Sequence, residues 1–353
     1  MRLSASVAAV LVGGSLALAL PGTASASASS SCRDHLGIAR SYNEFIEGDA
    51  VHTSDSEGAI AIGGDADFTE GFSLGRQLST TEKLPGGATL VVGGTLRNGA
   101  VGSDAFTVLE RGTAVYGALE GRPAVLKSGS RAMESSTLFD FAAEFGKLRK
   151  LSATLGARPA QGSVTRTISG GDSELTLTGE DSTLNVFPVS AIQLASAQRI
   201  VFEFPKGATA LVNVSGSTYD MSDGGTHDIS GPPGLPSKLL WNFLDATAIV
   251  KQPGTSWPGT VLAPHATVDL GTSGPLKGTV IAKSLTAAGA ETHHVPFTGC
   301  LSAQRSAAAE SSPTGDLADT GVNHLRALLS GALGALTAGA GLSYAAYSRR
   351  KRS

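Results

Sequence analysis

Short apolar runs broken by glycine dominate the hydrophobic pattern of this chain. Residues 57–66 read Glu-Gly-Ala-Ile-Ala-Ile-Gly-Gly-Asp-Ala, residues 88–94 read Ala-Thr-Leu-Val-Val-Gly-Gly, and residues 114–117 read Ala-Val-Tyr-Gly. Each run has the length of a strand and ends on residues suited to a tight corner. Such runs at intervals of roughly 20–30 residues are the pattern of a β-solenoid, whose coils stack on one another. A sandwich has strands of similar length. The clearest internal repeat is Val261-Leu262-Ala263 and Val280-Ile281-Ala282, each preceded by Gly-Thr. The two fit successive rungs of one coil, and Pro264, which cannot donate to a ladder, marks a corner. Further strands are expected at 175–178, 183–187, 200–204 and 210–214. Residues 216–236 are rich in Gly, Pro and Asp and read as a long surface loop.

One stretch breaks this texture. Between 134 and 155, Leu138, Phe141, Ala142, Phe145, Leu148, Leu151 and Leu155 fall three and four apart, with one adjacent pair. That spacing predicts an amphipathic helix with one apolar stripe. Lys147, Arg149 and Lys150 lie toward its end, and Gly156 and Pro159 stop it. The stripe is expected to pack on the side of the solenoid. Leu36, Ile38, Ala39, Tyr42, Phe45 and Ile46 allow a shorter helix near the start. The expected fold class is mainly β: a β-solenoid-like (β-helix) domain with one packed amphipathic helix.

Both ends of the chain differ from this middle. Arg2, an apolar run over 7–20 and small residues at 22–26 read as a secretory signal peptide, residues 1–28. Near the other end stand Leu317, Ala318, Asp319, Thr320 and Gly321, an apolar stretch over 325–347, and Arg349-Arg350-Lys351-Arg352. An apolar stretch of about 23 residues is long enough to cross a hydrocarbon core of about 30 Å. The terminal cations would stop its export. Pentapeptide, apolar span and basic end, in this order, resemble a Gram-positive cell-wall sorting signal (317–353). The Leu-Ala-x-Thr-Gly form is similar to the variant of high-GC actinobacteria. The resemblance implies a partner, a sortase of the class E-like kind, whose thiolate attacks the Thr320 carbonyl. An amine of the peptidoglycan precursor then takes the acyl group, so this chain is the substrate and peptidoglycan its covalent partner. The bland alternative is a plain membrane anchor beside a chance pentapeptide. An Ala/Ser-rich spacer at 301–316 joins this tail to the domain, 32–300.

Composition narrows the picture further. A formal net charge of −3 carries no electrostatic footprint for nucleic acid. With 45 glycines among 353 residues and 5% aromatics, turns are many and large side chains few, as in a β-rich fold with tight corners. The two cysteines, Cys32 and Cys300, bracket the domain. Export would place them where disulfides persist. A bond between them would close a loop of about 270 residues and stabilise by about 4–5 kcal/mol in the chain-entropy model. Two free thiols or an intermolecular bridge are the competing readings.

Tyr42-Asn43-Glu44-Phe45, the 57–65 run and the stretch from Leu240 to Gly299 together resemble the choice-of-anchor A family of bacterial surface domains. That stretch contains Leu240-Trp241-Asn242-Phe243, Trp257-Pro258-Gly259-Thr260, Gly278-Thr279-Val280-Ile281 and Glu291-Thr292-His293-His294-Val295-Pro296-Phe297. The resemblance covers about 34–299. It implies a β-solenoid-like fold and an adhesive or structural role at the cell surface, toward an extracellular ligand that it does not name.

Candidate chemistry is sparse. Glu291 and His293 would share one face of a strand, so they are metal candidates, but no third ligand stands near them in sequence. Asp65 and Asp67 follow two glycines and offer oxygens of the kind calcium takes, without the repeated Gly-Asp pattern of a calcium-loaded roll. Trp241 and Trp257 read as core plugs at corners. No Gly-x-Ser-x-Gly elbow, HExxH or phosphate loop occurs. The expectation is therefore a cell-wall-anchored surface protein, an adhesin or structural component, with no cofactor and no enzymatic activity. The alternative is a wall-associated glycan-binding or glycan-modifying protein.

Overall fold

Parallel strand pairing builds the fold. The computed structural model describes residues 35–79, 82–102, 107–127, 131–134 and 138–302. Among these residues every strand pair is parallel except the hairpin of Ser163–Ser169 with Asp172–Thr178. Strands form sheets of 14, 7 and 4 members that wrap into a three-faced β-helix. The mainly-β expectation holds. The stretches read as signal peptide, spacer beyond Ser302 and sorting tail lie, with Cys32, outside the described residues. No described helix is long and apolar enough to cross a membrane.

Coils do not stack in chain order. Across the first face the strands run Leu184–Ser190, Thr209–Ser215, Leu239–Phe243, Thr260–Asp269, Val280–Ala287, Glu44–Ile46, Ile60–Ile62, Ala88–Asn98, Thr113–Glu120 and Arg131–Glu134. The chain thus enters in the middle of the stack and builds outward to Arg131–Glu134. It crosses to the opposite end through helix α1, Phe141–Gly156, and builds back until Val280–Ala287 closes against Glu44–Ile46. The two repeats legible in the sequence are neighbours as expected, Val261 opposite Val280 and Ala263 opposite Ala282. After Ala263 the register shifts, at the corner that Pro264 marks.

The first face is buried on both sides, which explains its unbroken apolar runs. Ile60, Leu90, Val212, Trp241, Val261 and Val280 point into the solenoid, while Phe45, Ala61, Val91, Leu240, Leu262 and Ile281 lie in the cluster beneath α1. Helix α1 starts at Phe141 because the Asp140 side chain caps it, accepting from the Ala143 N–H at 3.0 Å. Of the predicted stripe, Phe141, Phe145, Leu148 and Leu155 are buried, and Ser152 joins them. Phe145 stacks on Phe45 at 5.4 Å between centroids. Ser152 Oγ donates to Asn242 Oδ1, Asn242 Nδ2 donates to the Ser152 carbonyl and to Asn213 Oδ1, and Asn213 Nδ2 donates to the Leu155 carbonyl. This asparagine ladder ties the end of α1 to the first face, and the Leu155 carbonyl accepts from the Arg158 N–H as well.

Two local expectations change. The early segment forms only a 3-10 turn, Gly37–Ser41, before Glu44–Ile46 continues as a strand. The 216–236 stretch is no plain loop: it contributes the strands Thr218–Asp220 and Asp228–Ser230, because its few apolar residues, Tyr219, Met221 and Leu235, are buried.

Candidate functional site

With α1 covering the first face, the second face is open along the stack. One outward column reads Thr218, Ala248, Thr267 and Ser284, and a second reads Asp220, Val250, Asp269, Thr286, Val51, Asp67, Arg97 and Glu120. Neighbouring rungs stand about 4.8 Å apart. The first column is thus a row of small hydroxyl and methyl groups, with Asp220 and Asp269 beside it in the second, and Thr267 and Ser284 share a 2.8 Å hydrogen bond. Further along, the second column carries Asp67, Arg97 and Glu120. Arg97 bridges Asp65 at 2.7 Å and Glu120 at 3.0 Å. The Thr95 N–H and the Arg97 guanidinium hold the Asp65 carboxyl below the usual carboxylate range.

The glycine–aspartate corners have a structural task. Asp49 Oδ1 accepts from the Asp65 N–H at 2.8 Å, and Asp65 Oδ1 accepts from the Thr95 N–H at 2.7 Å, so each aspartate caps the corner of the next rung. Asp67 accepts from the Thr69 N–H and hydroxyl. Both Asp65 oxygens and Asp67 Oδ1, considered for calcium, thus accept from donors within the chain. Glu291 and His293 do meet, Oε2 to Nε2 at 3.3 Å. No group of three or more metal-ligating side chains occurs among the described residues.

Sequence reasoning missed a polar cluster sealed inside the solenoid. Glu44 occupies an inward position on the first face, between Val280 and Ile60. Its Oε1 accepts from Thr292 Oγ1 at 2.6 Å and contacts His52 Nε2 at 3.2 Å. Thr292 also bonds Ser56 Oγ at 2.9 Å, and the Ser54 N–H points at His52 Nδ1. All four side chains are buried, and Glu44 Oε2 has no hydrogen-bond partner among the described residues. The cluster joins the first and last coils of the domain. At the corner outside it, His294 Nδ1 bonds Asn43 Oδ1 at 2.8 Å, and the His294 ring lies 3.2 Å from Glu82. A glutamate inside the apolar run 42–46 was the available signal.

A second buried charge is Lys251, whose Nζ donates to the carbonyls of Gln252, Thr255 and Ser273. Burial pulls its pKa down to about 8, and Asp269 offsets part of that. Trp241 and Trp257 are core residues, as read from the sequence, and Trp241 Nε1 donates to the Pro258 carbonyl. A groove of about 620 Å³, lined by Leu78, Leu84, Glu82, Glu110, Arg111 and Lys127 among others, lies beside the rungs at the Arg131–Glu134 end.

The chain's entry and exit lie side by side. Asn43 meets His294, and Ser302 Oγ comes within 3.5 Å of His35 Nε2. The Cys300 N–H donates to Thr209 Oγ1 at 2.8 Å, and the Thr298 N–H to the Ser237 carbonyl. Among the described residues no cysteine is free. The expected partner Cys32 lies outside them, as do Leu317, Ala318, Asp319, Thr320 and Gly321.

Several solved structures to which the chain is similar are those of ice-binding proteins. One from an Antarctic biological consortium is 16% identical, covers 73% of this chain and 90% of that chain, and has a TM-score of 0.34. One from the Antarctic ascomycete Antarctomyces psychrotrophicus is 13% identical, covers 72% and 95%, and has a TM-score of 0.35. LeIBP from an Arctic yeast is 14% identical, covers 76% and 96%, and has a TM-score of 0.36. No curated protein sequence matches the chain. The model of one family matches residues 35–294, from the first described turn to the closing corner. This chain therefore belongs to the family of ice-binding-like adhesive domains.

Proposed function

We propose that this chain is an exported, wall-anchored surface protein whose β-helix serves as an adhesive or structural module. The observation that carries this reading is an adhesive-type domain over 35–294 followed, past its exit at Ser302, by the Leu317–Gly321 pentapeptide, an apolar span and a basic end. A sortase thiolate attacks the Thr320 carbonyl, and the Thr320–Gly321 bond breaks to an acyl-enzyme. An amine of the peptidoglycan precursor then displaces the thiolate and leaves Thr320 amide-linked to murein. Cys32 and Cys300 form one disulfide that ties the entry of the domain to its exit. The adjacency of His35 and Ser302 supports that pairing. Mass spectrometry of muramidase-released protein tests both bonds. The expected product ends at Thr320 with a murein fragment and carries a Cys32–Cys300 crosslink. An intact hydrophobic tail on the mature protein would sink the reading.

The similar solved structures are of ice-binding proteins, and the make-up of the second face bears on whether this chain shares that ligand. Ice offers a regular lattice and no counter-charge, so a matching surface must be flat, periodic and free of strongly hydrated groups. Thr218, Ala248, Thr267 and Ser284 meet that condition as a single column, but Asp220 and Asp269 beside them and Asp65, Arg97 and Glu120 further along break it. This favours a ligand other than ice. Purified domain is expected to leave ice-crystal growth unchanged and to bind a wall or matrix polymer saturably. The glycan-modifying alternative rests on two carboxylates, Glu82 and Glu110, lining the groove. Released sugar or peptide in the same binding assays would establish it.

A further inference from the structure

We infer that the groove beside the Arg131–Glu134 end binds a short peptide by its two free ends, the ammonium at Glu82 and Glu110 and the carboxylate at Arg111 and Lys127. This deepens the adhesive reading, on which it rests, by naming the class of ligand. The groove follows the corner between the third face (Asp55–Ser56, Phe72–Leu74, Thr107–Leu109, Val125–Leu126) and the first. Successive coils set Glu57, Gly75, Glu110 and Lys127 along that corner. The Gly75 N–H donates to the Ser56 carbonyl, the Glu110 N–H to the Leu74 carbonyl and the Lys127 N–H to the Leu109 carbonyl. The crossing from Phe72–Leu74 to Ala88–Asn98 supplies the opposite wall with Leu78, Glu82 and Leu84. Buried Leu78, the Gln77 N–H on the Glu57 carbonyl, and Glu82 Oε1 at 3.2 Å from His294 Nε2 pin that wall.

Glycine and a bulge make the room. Thr89 is the extra residue where the register shifts between Ala88 and Leu90, and it lines the groove. A methyl group on Gly112 (φ 84°) would lie 2.0 Å from Thr89 Oγ1, so bare backbone is required there. The volume of about 620 Å³ is that of a small-ligand site. Its charges are unspent. Among the described residues the side chains of Glu110, Arg111 and Lys127 have no ion-pair or hydrogen-bond partner, although all three line one groove. Opposite charges held apart in this way are matched by a ligand that carries both signs. A neutral saccharide would leave them unmatched, and a polyanion would meet Glu82 and Glu110. Leu78 and Leu84 offer an apolar wall to small side chains. From the corner of Glu57 to that of Lys127 there are three strand-to-strand steps, about 14 Å in all. An extended tripeptide spans about 10 Å and fits between side chains set along that length.

Calorimetric titration of the full chain, held in mild detergent, tests this with trialanine, N-acetyl-trialanine, trialanine amide, a neutral tetrasaccharide and a short polyphosphate. Trialanine with free ends is expected to bind saturably, and each blocked form several-fold more weakly. Glu110→Gln should weaken trialanine several-fold and leave the N-acetylated form unchanged. Lys127→Gln should weaken trialanine several-fold and leave the amide unchanged. Neither side chain has a partner in the chain, so these losses report the ligand's ends rather than the fold. Tighter binding of the saccharide or the polyphosphate, or trialanine binding that both variants leave intact, overturns the inference. Saturable binding to wall or matrix polymer without any binding of trialanine overturns it while leaving the adhesive reading standing. Absence of binding to peptide and polymer alike overturns both.

Discussion

Thr292 donates its hydroxyl to the Glu44 carboxylate at 2.6 Å across 248 residues of chain. Both side chains are sealed in the core, so the bond forms only when the last coil closes on the first. Thr292→Val keeps the shape and removes the donor, leaving a buried carboxylate still less satisfied. The expected loss is about 1–3 kcal/mol in denaturant unfolding. Thr292→Ser, which retains the hydroxyl, should recover most of it. A valine variant as stable as the parent would show that the bond contributes nothing to closure.

Helix α1 is held by the asparagine ladder as well as by its apolar stripe. Asn242→Leu leaves Ser152 and Asn213 with unmatched groups in a buried layer. Amide protons of residues 148–156 should then exchange faster, while those of Ile60–Ile62 keep their protection. Hydrogen exchange read by mass spectrometry separates this local release of α1 from general unfolding.

The buried ammonium of Lys251 makes a pH-dependent contribution. Its folded pKa of about 8 lies below the ordinary lysine value of 10.5. Between these values the unfolded chain binds more protons than the folded one, so this group makes stability rise with pH over that window. Below pH 8 its cost is present in full. Unfolding free energies of the parent and Lys251→Met, compared from pH 7.5 to 10.5, should therefore converge or cross in the parent's favour as pH rises. A constant difference would contradict the assignment.

Gly64 sits where two coils touch. A methyl group there would lie 2.2 Å from Asp49 Oδ1 and 2.9 Å from the Gly48 carbonyl oxygen. Gly64→Ala must push the corner strands apart and break the cap that Asp49 gives to the Asp65 N–H. Thermal unfolding should move down by several degrees. Gly170→Ala meets nothing within 4 Å, so only its left-handed backbone (φ 64°) resists, and its effect should be the smaller of the two.

Much of the first face was legible from the chain. Runs such as Ala59-Ile60-Ala61-Ile62 are apolar at every position because one set of side chains fills the solenoid and the other lies under α1. The repeat at 261–263 and 280–282 announced its own pairing. The second face was less legible, since its rungs are short alternating stretches, some separate three-residue strands such as Thr218–Asp220 and some the far ends of first-face strands such as Thr260–Asp269. Glycine pairs at 63–64 and 93–94 looked like turn residues, and for Gly63, Gly64 and Gly94 the stronger constraint is the close approach of the next coil. Glu44, His52, Ser56 and Thr292 could not be grouped at all, because they are spread from residue 44 to residue 292 and each has an ordinary neighbourhood in sequence.

Local pattern alone determined the class of fold, the packed helix and the rungs that are adjacent in the chain, because side-chain periodicity and corner residues act over a few positions. Tertiary structure alone decided that the stack starts in its middle, that its first and last coils pair, and that His35 at the entry comes beside Ser302 at the exit. Strand pairing between distant coils is set by which apolar edges remain uncovered, and that depends on the whole chain at once.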